Sequence, residues 1–558
     1  MTVDEEPRRG VRPPICSDAD AQAVPGSLVA AWKARVARNP EGVALRFFDG
    51  ALSAREADAA SDALAAAFEA RGTGRGDRVG VYLQNVPQYA LVLLALWKLG
   101  ATALGLNPMY RRQELRRIVD DAGAVGVVCA DEDVHETLGT LAGSPVRWLV
   151  STSALDYQYR DDPRVFTTAQ RHAPAPDGDL AALIGEFEGR GPSPVELTGE
   201  DVAFLTYTSG TTGPPKGAMN THGNVLSVVE TCASWMGVGD GDVVFAMAPL
   251  FHITGAVVNA TLSLLTDTTL VLAGRFHPEV ALEAFAEHEV TYTIGSITAY
   301  HALYELPQAG PEHFATAKAL YSGGAPIPPA TVERFRERFG VYLHNGYGMT
   351  ETTSAVIAVP PGERAPVHAP SGTLSIGKPL PHLTARVVGP DGGPVPNGEQ
   401  GELELSGPQV VPGYWGKPEV TRRTMPEGRL RTGDVAVIDE EGWVYLVDRL
   451  KDQINVSGYK VWPREVEDAL YEHPSVLEAA VVGQPDAYRG ETVVAYVSLK
   501  AGLNATAEEL IAFTRERLAV YKCPRAIRFL SDLPKTQSGK IRRAELRDAG
   551  AASPSKED

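Results

Sequence analysis

Apolar positions along the chain come in short runs separated by longer amphipathic or alanine-rich stretches, and the alternation predicts strands interleaved with helices. Residues 54–69 have the composition of a helix, 78–83 (RVGVYL) read as a short apolar strand, 88–99 as a helix and 126–129 (GVVC) as a further strand. The pattern recurs at 243–248, 269–272 and 291–294, each strand followed by a stretch of helical composition. Such alternation predicts sheets covered by helices, an α/β architecture. The most apolar stretch, 90–97 (ALVLLALW), ends at Lys98 and falls short of the ~20 residues that cross a bilayer, so it reads as a buried helix and no transmembrane segment is expected.

The texture changes twice. Between 373 and 447 the apolar residues fall into short alternating runs, 384–388, 401–405, 435–438 and 443–447, punctuated by Gly and Pro, which predicts a β-rich subdomain. Beyond 451 a compact pattern follows: a helix at 463–473, strands at 476–483 and 492–499, and a helix at 507–518. The expected organisation is a flexible arm over 1–26, a large N-terminal domain of helix-covered sheets over 27–448 with its β-rich subdomain at about 373–448, a small α+β C-terminal domain over 454–550, and a flexible tail over 551–558.

Composition narrows the function. With 44% hydrophobic and 22% charged residues the chain can build a large core, and its formal charge of −18 argues against a protein that lives on nucleic acid or on an anionic membrane surface. An anionic ligand must therefore be held by local groups. Cys16, Cys129, Cys232 and Cys523 lie far apart with no C-x-x-C, so neither a zinc site nor a disulfide framework is expected. The first 26 residues carry acids and prolines and lack the apolar core of a signal peptide; a cytoplasmic protein is the expectation.

The chemistry begins at 207–217, YTSGTTGPPKG. Gly210, Gly213 and Gly217 alternate with Thr208, Ser209, Thr211 and Thr212 ahead of Lys216. Glycines let backbone N–H groups converge on an anion, hydroxyls add donors, and lysine adds a mobile charge, the properties of a phosphate-binding loop. It is not a Walker A loop, because Lys216 precedes the last glycine instead of following it. The near-match at 372–378 (GTLSIGK) is followed by Pro379 where a hydroxyl should reach magnesium, and no Ser sits in a G-x-S-x-G elbow.

The loop resembles the signature of the AMP-forming adenylating superfamily, which contains acyl-CoA synthetases, peptide-synthetase adenylation domains and firefly luciferase. Five more motifs follow in the family's order: Pro249-Leu250-Phe251-His252, 345–351 (NGYGMTE), Thr432-Gly433-Asp434, 448–458 (DRLKDQINVSG) and 534–540 (PKTQSGK). The resemblance is closest to bacterial fatty acyl-CoA ligases. It implies that a carboxylate attacks the α-phosphorus of ATP, giving acyl-AMP and pyrophosphate, and that a thiol then attacks the acyl carbon.

It also implies roles. Residues 208–216 hold the β- and γ-phosphates; Tyr347 stacks on adenine beside Gly348 and Met349; Thr350 donates to the α-phosphate; and Glu351, with Thr211, holds Mg²⁺. Gly324, Ala325 and Pro326 form the adenine wall, Asp434 and Arg449 take the ribose, and His252 positions substrate between the nucleotide and acyl pockets. Lys540 bridges the substrate carboxylate and the α-phosphate, while its neighbours Lys535, Arg542 and Arg543 read as a solvated basic face.

The small domain carries both Lys540 and the segment Ser457, Gly458, Tyr459, Lys460, which the resemblance assigns to the pantetheine arm of CoA. One centre can hardly use both at once, so the resemblance implies a mobile domain pivoting about 449–453, with Lys451 at the hinge. Residues 458–465 (GYKVWPRE) favour free coenzyme A as acceptor; an acyl carrier protein stays open, as does a homodimer. By resemblance, the acyl pocket is built from 253–257, 294–300 and 321–325, mostly apolar and without a carboxylate to receive an amino group. A medium- or long-chain fatty acid is the first expectation. Gly255, Ala256, Gly295 and Ser296 could instead leave room for a bulky aryl, steroid or terpenoid acid. Luciferase-like oxygenation and a non-catalytic nucleotide sensor are more distant readings.

Overall fold

The computed structural model describes residues 26–208, 215–325, 327–449, 452–456, 459–486, 489–536 and 541–551. Two largely parallel sheets carry most of the chain. One has nine strands in the spatial order Lys378–Pro379, Ser354–Ala358, Leu343–Met349, Ala319–Ser322, Tyr292–Gly295, Val243–Phe245, Thr269–Leu272, Val43–Phe47 and Gly50–Ser53. Its inner strands, from Leu343–Met349 to Val43–Phe47, are all parallel. The other has six, in the order Trp148–Thr152, Gly126–Ala130, Arg78–Tyr82, Thr102–Gly105, Val202–Thr208 and Lys216–Thr221, and only its last pair is antiparallel. Parallel strands covered on both faces need apolar residues at successive positions, which is why runs such as 126–129 show no alternation.

The apolar run forms the helix Pro87–Lys98, in which every residue is buried. It touches strands of both sheets, Val43–Phe47 on one side and Arg78–Tyr82 and Thr102–Gly105 on the other, so no face of it meets water. The charge that ends the run is compensated: the Lys98 ammonium lies 2.7 Å from carboxylate oxygens of both Asp58 and Asp62. Among the described residues no helix is long and apolar enough to cross a membrane.

One predicted strand is shorter than its apolar run. The strand expected over 243–248 stops at Phe245, because the Asn85 side chain takes the place of a neighbouring strand. Its amide donates to the carbonyls of Ala246 (2.8 Å) and Ala248 (3.1 Å), and its oxygen accepts the Leu250 N–H (2.8 Å). With a backbone bond from Gly274 to the Asn85 carbonyl, this residue ties the two sheets together just ahead of His252.

The β-rich segment is a four-stranded antiparallel sheet of Thr384–Val388, Gly401–Ser406, Leu430–Ile438 and Val444–Arg449. A five-stranded sheet follows, built from Tyr459–Val461, Ile454–Val456, Gly490–Leu499, Val476–Asp486 and Ala526–Phe529, and covered by the helices Pro463–Tyr471, Ala507–Arg515 and Arg543–Ala551. Here the expectation of a solvated basic face fails for two of its three members. The Arg543 guanidinium binds both Glu467 oxygens and lies 3.7 Å from Asp448 and 3.5 Å from Asp452, and Lys535 pairs with Glu478 (2.8 Å) and Asp532 (2.7 Å). Three carboxylates converging on one arginine make it an internal counter-ion, and that convergence is invisible in the local sequence.

Candidate active site

The glycine- and hydroxyl-rich loop leaves the end of an antiparallel pair, where Thr208 and Lys216 face each other in register. Ser209, Gly210, Thr211, Thr212 and Gly213 lie outside the described residues. The stem is braced from the far side: the Trp415 N–H donates to the Gly217 carbonyl (2.8 Å) and the Met219 N–H to the Gly413 carbonyl (3.1 Å), so Tyr414 forms an antiparallel bridge with Ala218.

That bracing places Tyr414 between Lys216 and Glu351 of the motif at 345–351. The Lys216 ammonium sits 4.9 Å from the centre of the Tyr414 ring, a cation–π distance, and the Tyr414 hydroxyl donates to Glu351 Oε1 at 2.6 Å. Burial and the Glu351 carboxylate push the Tyr414 phenol well above its ordinary pKa, so it remains a donor and the carboxylate its acceptor. One tyrosine thus holds a cation on its face and an anion at its edge.

Glu351 is buried in a tight turn, Thr350–Thr352, whose following residues Thr353 and Ser354 have φ of 56° and 107°. A left-handed backbone at non-glycine residues costs about 1–3 kcal/mol each and persists only where neighbours fix it. Asn220 does so: its amide donates to the Thr350 carbonyl (3.0 Å) and to Thr353 Oγ1 (3.1 Å), which in turn donates to the Gln409 carbonyl (3.0 Å). The Met349 N–H donates to Thr352 Oγ1 (2.9 Å), and the Glu351 carbonyl accepts the Val411 N–H (2.9 Å). A Cβ on Gly348 would run into the Ser354 carbonyl, so only glycine lets the strand pass its neighbour here.

Tyr347 and Asp434, far apart in sequence, meet: the Tyr347 hydroxyl donates to Asp434 Oδ2 at 2.7 Å, and Asp434 pairs in register with Arg449 across the four-stranded sheet. At the carboxyl end of Ala319–Ser322 the chain turns through Gly324, with φ of 82°. A Cβ on the preceding Gly323 would stand 3.3 Å from the Gly346 carbonyl, so the Gly323-Gly324 turn and the 345–351 strand are close neighbours. Pro326, Lys451, Ser457, Gly458 and Lys540 lie outside the described residues; Tyr459 and Lys460 belong to the strand Tyr459–Val461.

His252 is half-buried, but its Nε2 is enclosed and has no hydrogen-bond partner among the described residues. Burial lowers its pKa from 6.5 to about 4, so the ring is neutral at neutral pH and suits positioning, not ionic binding. Among the described residues no three His, Cys, Asp or Glu side chains group so as to hold a metal ion.

The model of the AMP-binding enzyme family matches residues 32–415, more than half of the chain, and that of the AMP-binding enzyme C-terminal domain matches 465–540. The chain belongs to the AMP-binding enzyme family. A long-chain-fatty-acid–CoA ligase of Bacillus subtilis (strain 168) is 36% identical over 521 residues, covering 91% of this chain and 92% of its own. A feruloyl-CoA synthase of Amycolatopsis sp is 35% identical over 517 residues, covering 92% and 98%. The crystal structure of MatB from Rhodopseudomonas palustris with ATP bound matches with a TM-score of 0.84 at 27% identity, covering 94% of this chain and 99% of that one. As a member of this family the chain is an AMP-forming acid–thiol ligase that uses ATP and CoA.

For this AMP-binding enzyme the segments 253–257, 294–300 and 321–325 are largely buried and apolar, through Ile253, Val257, Ile294, Tyr300 and Tyr321. At three of the four small positions named above the packing is close. The space a Cβ would take at Gly255 is filled by the Pro249 and Ala248 carbonyls, that at Gly295 by the Met247 side chain, and the Ser296 hydroxyl is engaged as helix cap, accepting the Ala299 N–H at 3.3 Å. Two residues of this candidate site escaped sequence reasoning, Tyr414 and Asn220. The glycines flanking Tyr414 and Trp415 are the one local signal for the first; Asn220 has none.

Proposed function

We propose that this ligase activates an apolar carboxylic acid, a medium- or long-chain fatty acid first, as its acyl-AMP and transfers the acyl group to CoA. The observation that carries the reading is Tyr414, which joins the phosphate-loop cation Lys216 to the Glu351 carboxylate. A cation and a hard anion a tyrosine's width apart suit a polyphosphate and the ion that accompanies it.

The substrate carboxylate attacks the α-phosphorus and pyrophosphate leaves, its developing charge met by the loop's donors and Lys216. Thr350 donates to the α-phosphate, Tyr347 stacks on adenine within the wall of Gly324 to Pro326, and Asp434 and Arg449 take the ribose hydroxyls. Lys540 lies between the two anions that must meet, and neutral His252 orients the carboxylate. Glu351 suits Mg²⁺, which binds through one or two carboxylates together with substrate phosphates and not in an all-protein cage; bound, it would offset phosphate charge. In the second half-reaction the small domain presents Gly458, with Ser457, Tyr459 and Lys460, and the CoA thiolate attacks the acyl carbon, releasing AMP. The pivot at 449–453 centres on Lys451.

Absence of any Asp or Glu from the three acyl-wall segments supports an apolar acid. Each methylene buried there stabilises binding by about 0.8 kcal/mol, roughly fourfold in affinity. A second reading, an aryl acid, is supported by the extensive match to the feruloyl-CoA synthase.

Pyrophosphate release should be measured with ATP, Mg²⁺ and a panel of acids from octanoate to stearate, plus ferulate and benzoate, each with and without CoA. Release is expected to require an acid, to turn over repeatedly only with CoA, and to show kcat/KM rising along the fatty-acid series until the pocket is full. Preference for ferulate would favour the aryl reading. A stoichiometric burst unaffected by CoA would move the acceptor to a carrier protein, and ATP binding without release would leave only a nucleotide sensor.

A further inference from the structure

Along the carboxyl edge of the nine-stranded sheet, the ends of Ala319–Ser322, Tyr292–Gly295, Val243–Phe245 and Thr269–Leu272 follow one another. The first runs into the Gly323-Gly324 loop on the nucleotide side; the second ends in the acyl wall at Gly295; the third runs into Met247 and the fourth into Ala273. Three strand spacings make this row about 14 Å long, a span suited to an extended apolar chain.

Met247 sits in the middle of the row. Its Cγ and Sδ lie 3.0 and 3.2 Å from the point a Cβ on Gly295 would occupy, and its methyl is closer still, so the thioether lies directly over the glycine. Beyond Met247 is only a small cleft of about 30 Å³, room for about one water, lined also by Asn85, Phe245, Ala273, Phe276 and His277. It reaches the surface at Phe276, which is 36% exposed, whereas Met247 is 4% exposed. The parts of this wall differ in how readily they yield. Asn85 is fixed by three hydrogen bonds to backbone, and Phe245 packs edge-on to Phe285 at 5.6 Å. Methionine is unbranched, has no strong polar group to satisfy, and adapts by rotating its soft thioether.

We propose that Met247 sets the length of acyl chain this ligase accepts. As placed, its side chain ends the acyl pocket at Gly295, and shortening that side chain frees the space its thioether now fills for the distal methylenes of a long acid. The inference rests on the fatty-acid reading and on the acyl wall at 294–300.

The test is the chain-length profile of kcat/KM, from octanoate to stearate, for the wild type, Met247→Ala and the volume-conserving Met247→Leu. Met247→Ala is expected to shift the optimum to longer acids and to raise the ratio of stearate to octanoate about tenfold, the worth of roughly two more buried methylenes, while Met247→Leu keeps the wild-type profile. Should the alanine variant fail to fold, Met247→Val is expected to shift the profile in the same direction by less. An active truncation variant with an unchanged profile, or one that weakens every acid equally, overturns the role of Met247 and leaves the ligase reading intact. Wild-type enzyme that releases pyrophosphate with no fatty acid overturns the reading itself.

Discussion

Lys540→Ala is expected to lower acyl-AMP formation by about 10²- to 10³-fold or more while sparing thioester formation from supplied acyl-AMP. The physical reason is charge: carboxylate and α-phosphate, both anionic, must approach to about 3–3.5 Å, and a cation between them is worth most where charge is being redistributed. Once acyl-AMP exists that repulsion is past, and the second half-reaction has no further use for the lysine. Gly458→Leu is expected to give the opposite pattern, because a branched side chain beside the pantetheine path obstructs the thiol without touching the nucleotide. Single-turnover pyrophosphate release and thioester formation from synthetic acyl-AMP separate the two. Equal loss of both half-reactions in both variants would contradict a domain that serves them in turn.

Glu351→Gln is expected to lower acyl-AMP formation by about 10²-fold while leaving the fold intact. The amide oxygen still accepts the Tyr414 hydroxyl, now made at 2.6 Å, so packing around this buried residue is conserved and only the charge is lost. The Mg²⁺ concentration needed for half-maximal rate should rise with it. Tyr414→Phe is a useful contrast: it leaves the carboxylate in place but removes its donor, and it keeps the aromatic face under Lys216. Near-wild-type rates and Mg²⁺ dependence in Glu351→Gln would make Glu351 a structural residue of the turn alone.

Much of this molecule was legible in its sequence because the relevant signals are local. Apolar period gave the strands at 269–272 and 384–388 to the residue and the helix at 54–69 to within one. The phosphate loop and the 345–351 motif are recognisable because glycine spacing and hydroxyl density have few other uses. Contacts across long sequence separation were hidden. Nothing near Glu351 announces Tyr414, 63 residues on, and nothing in the basic cluster at 535–543 shows that Arg543 is enclosed by carboxylates. What packs against the small residues was equally hidden: Met247 lies against Gly295 and a carbonyl against Gly255, and composition does not carry that. The first helix, Leu28–Arg38, and the hairpin that completes the nine-stranded sheet also went unread, since that part of the chain carries no chemical motif to anchor a pattern.

The most direct measurement is the fate of carboxylate oxygen. The acid, labelled with oxygen-18 at both carboxylate positions, is turned over with ATP and CoA, and the products are analysed by mass spectrometry. If the carboxylate attacks the α-phosphorus and the thiol then displaces AMP, one labelled oxygen appears in AMP, the other stays in the thioester carbonyl, and pyrophosphate is unlabelled. Label in inorganic phosphate with formation of ADP, or unlabelled AMP alongside thioester, would contradict an acyl-AMP intermediate.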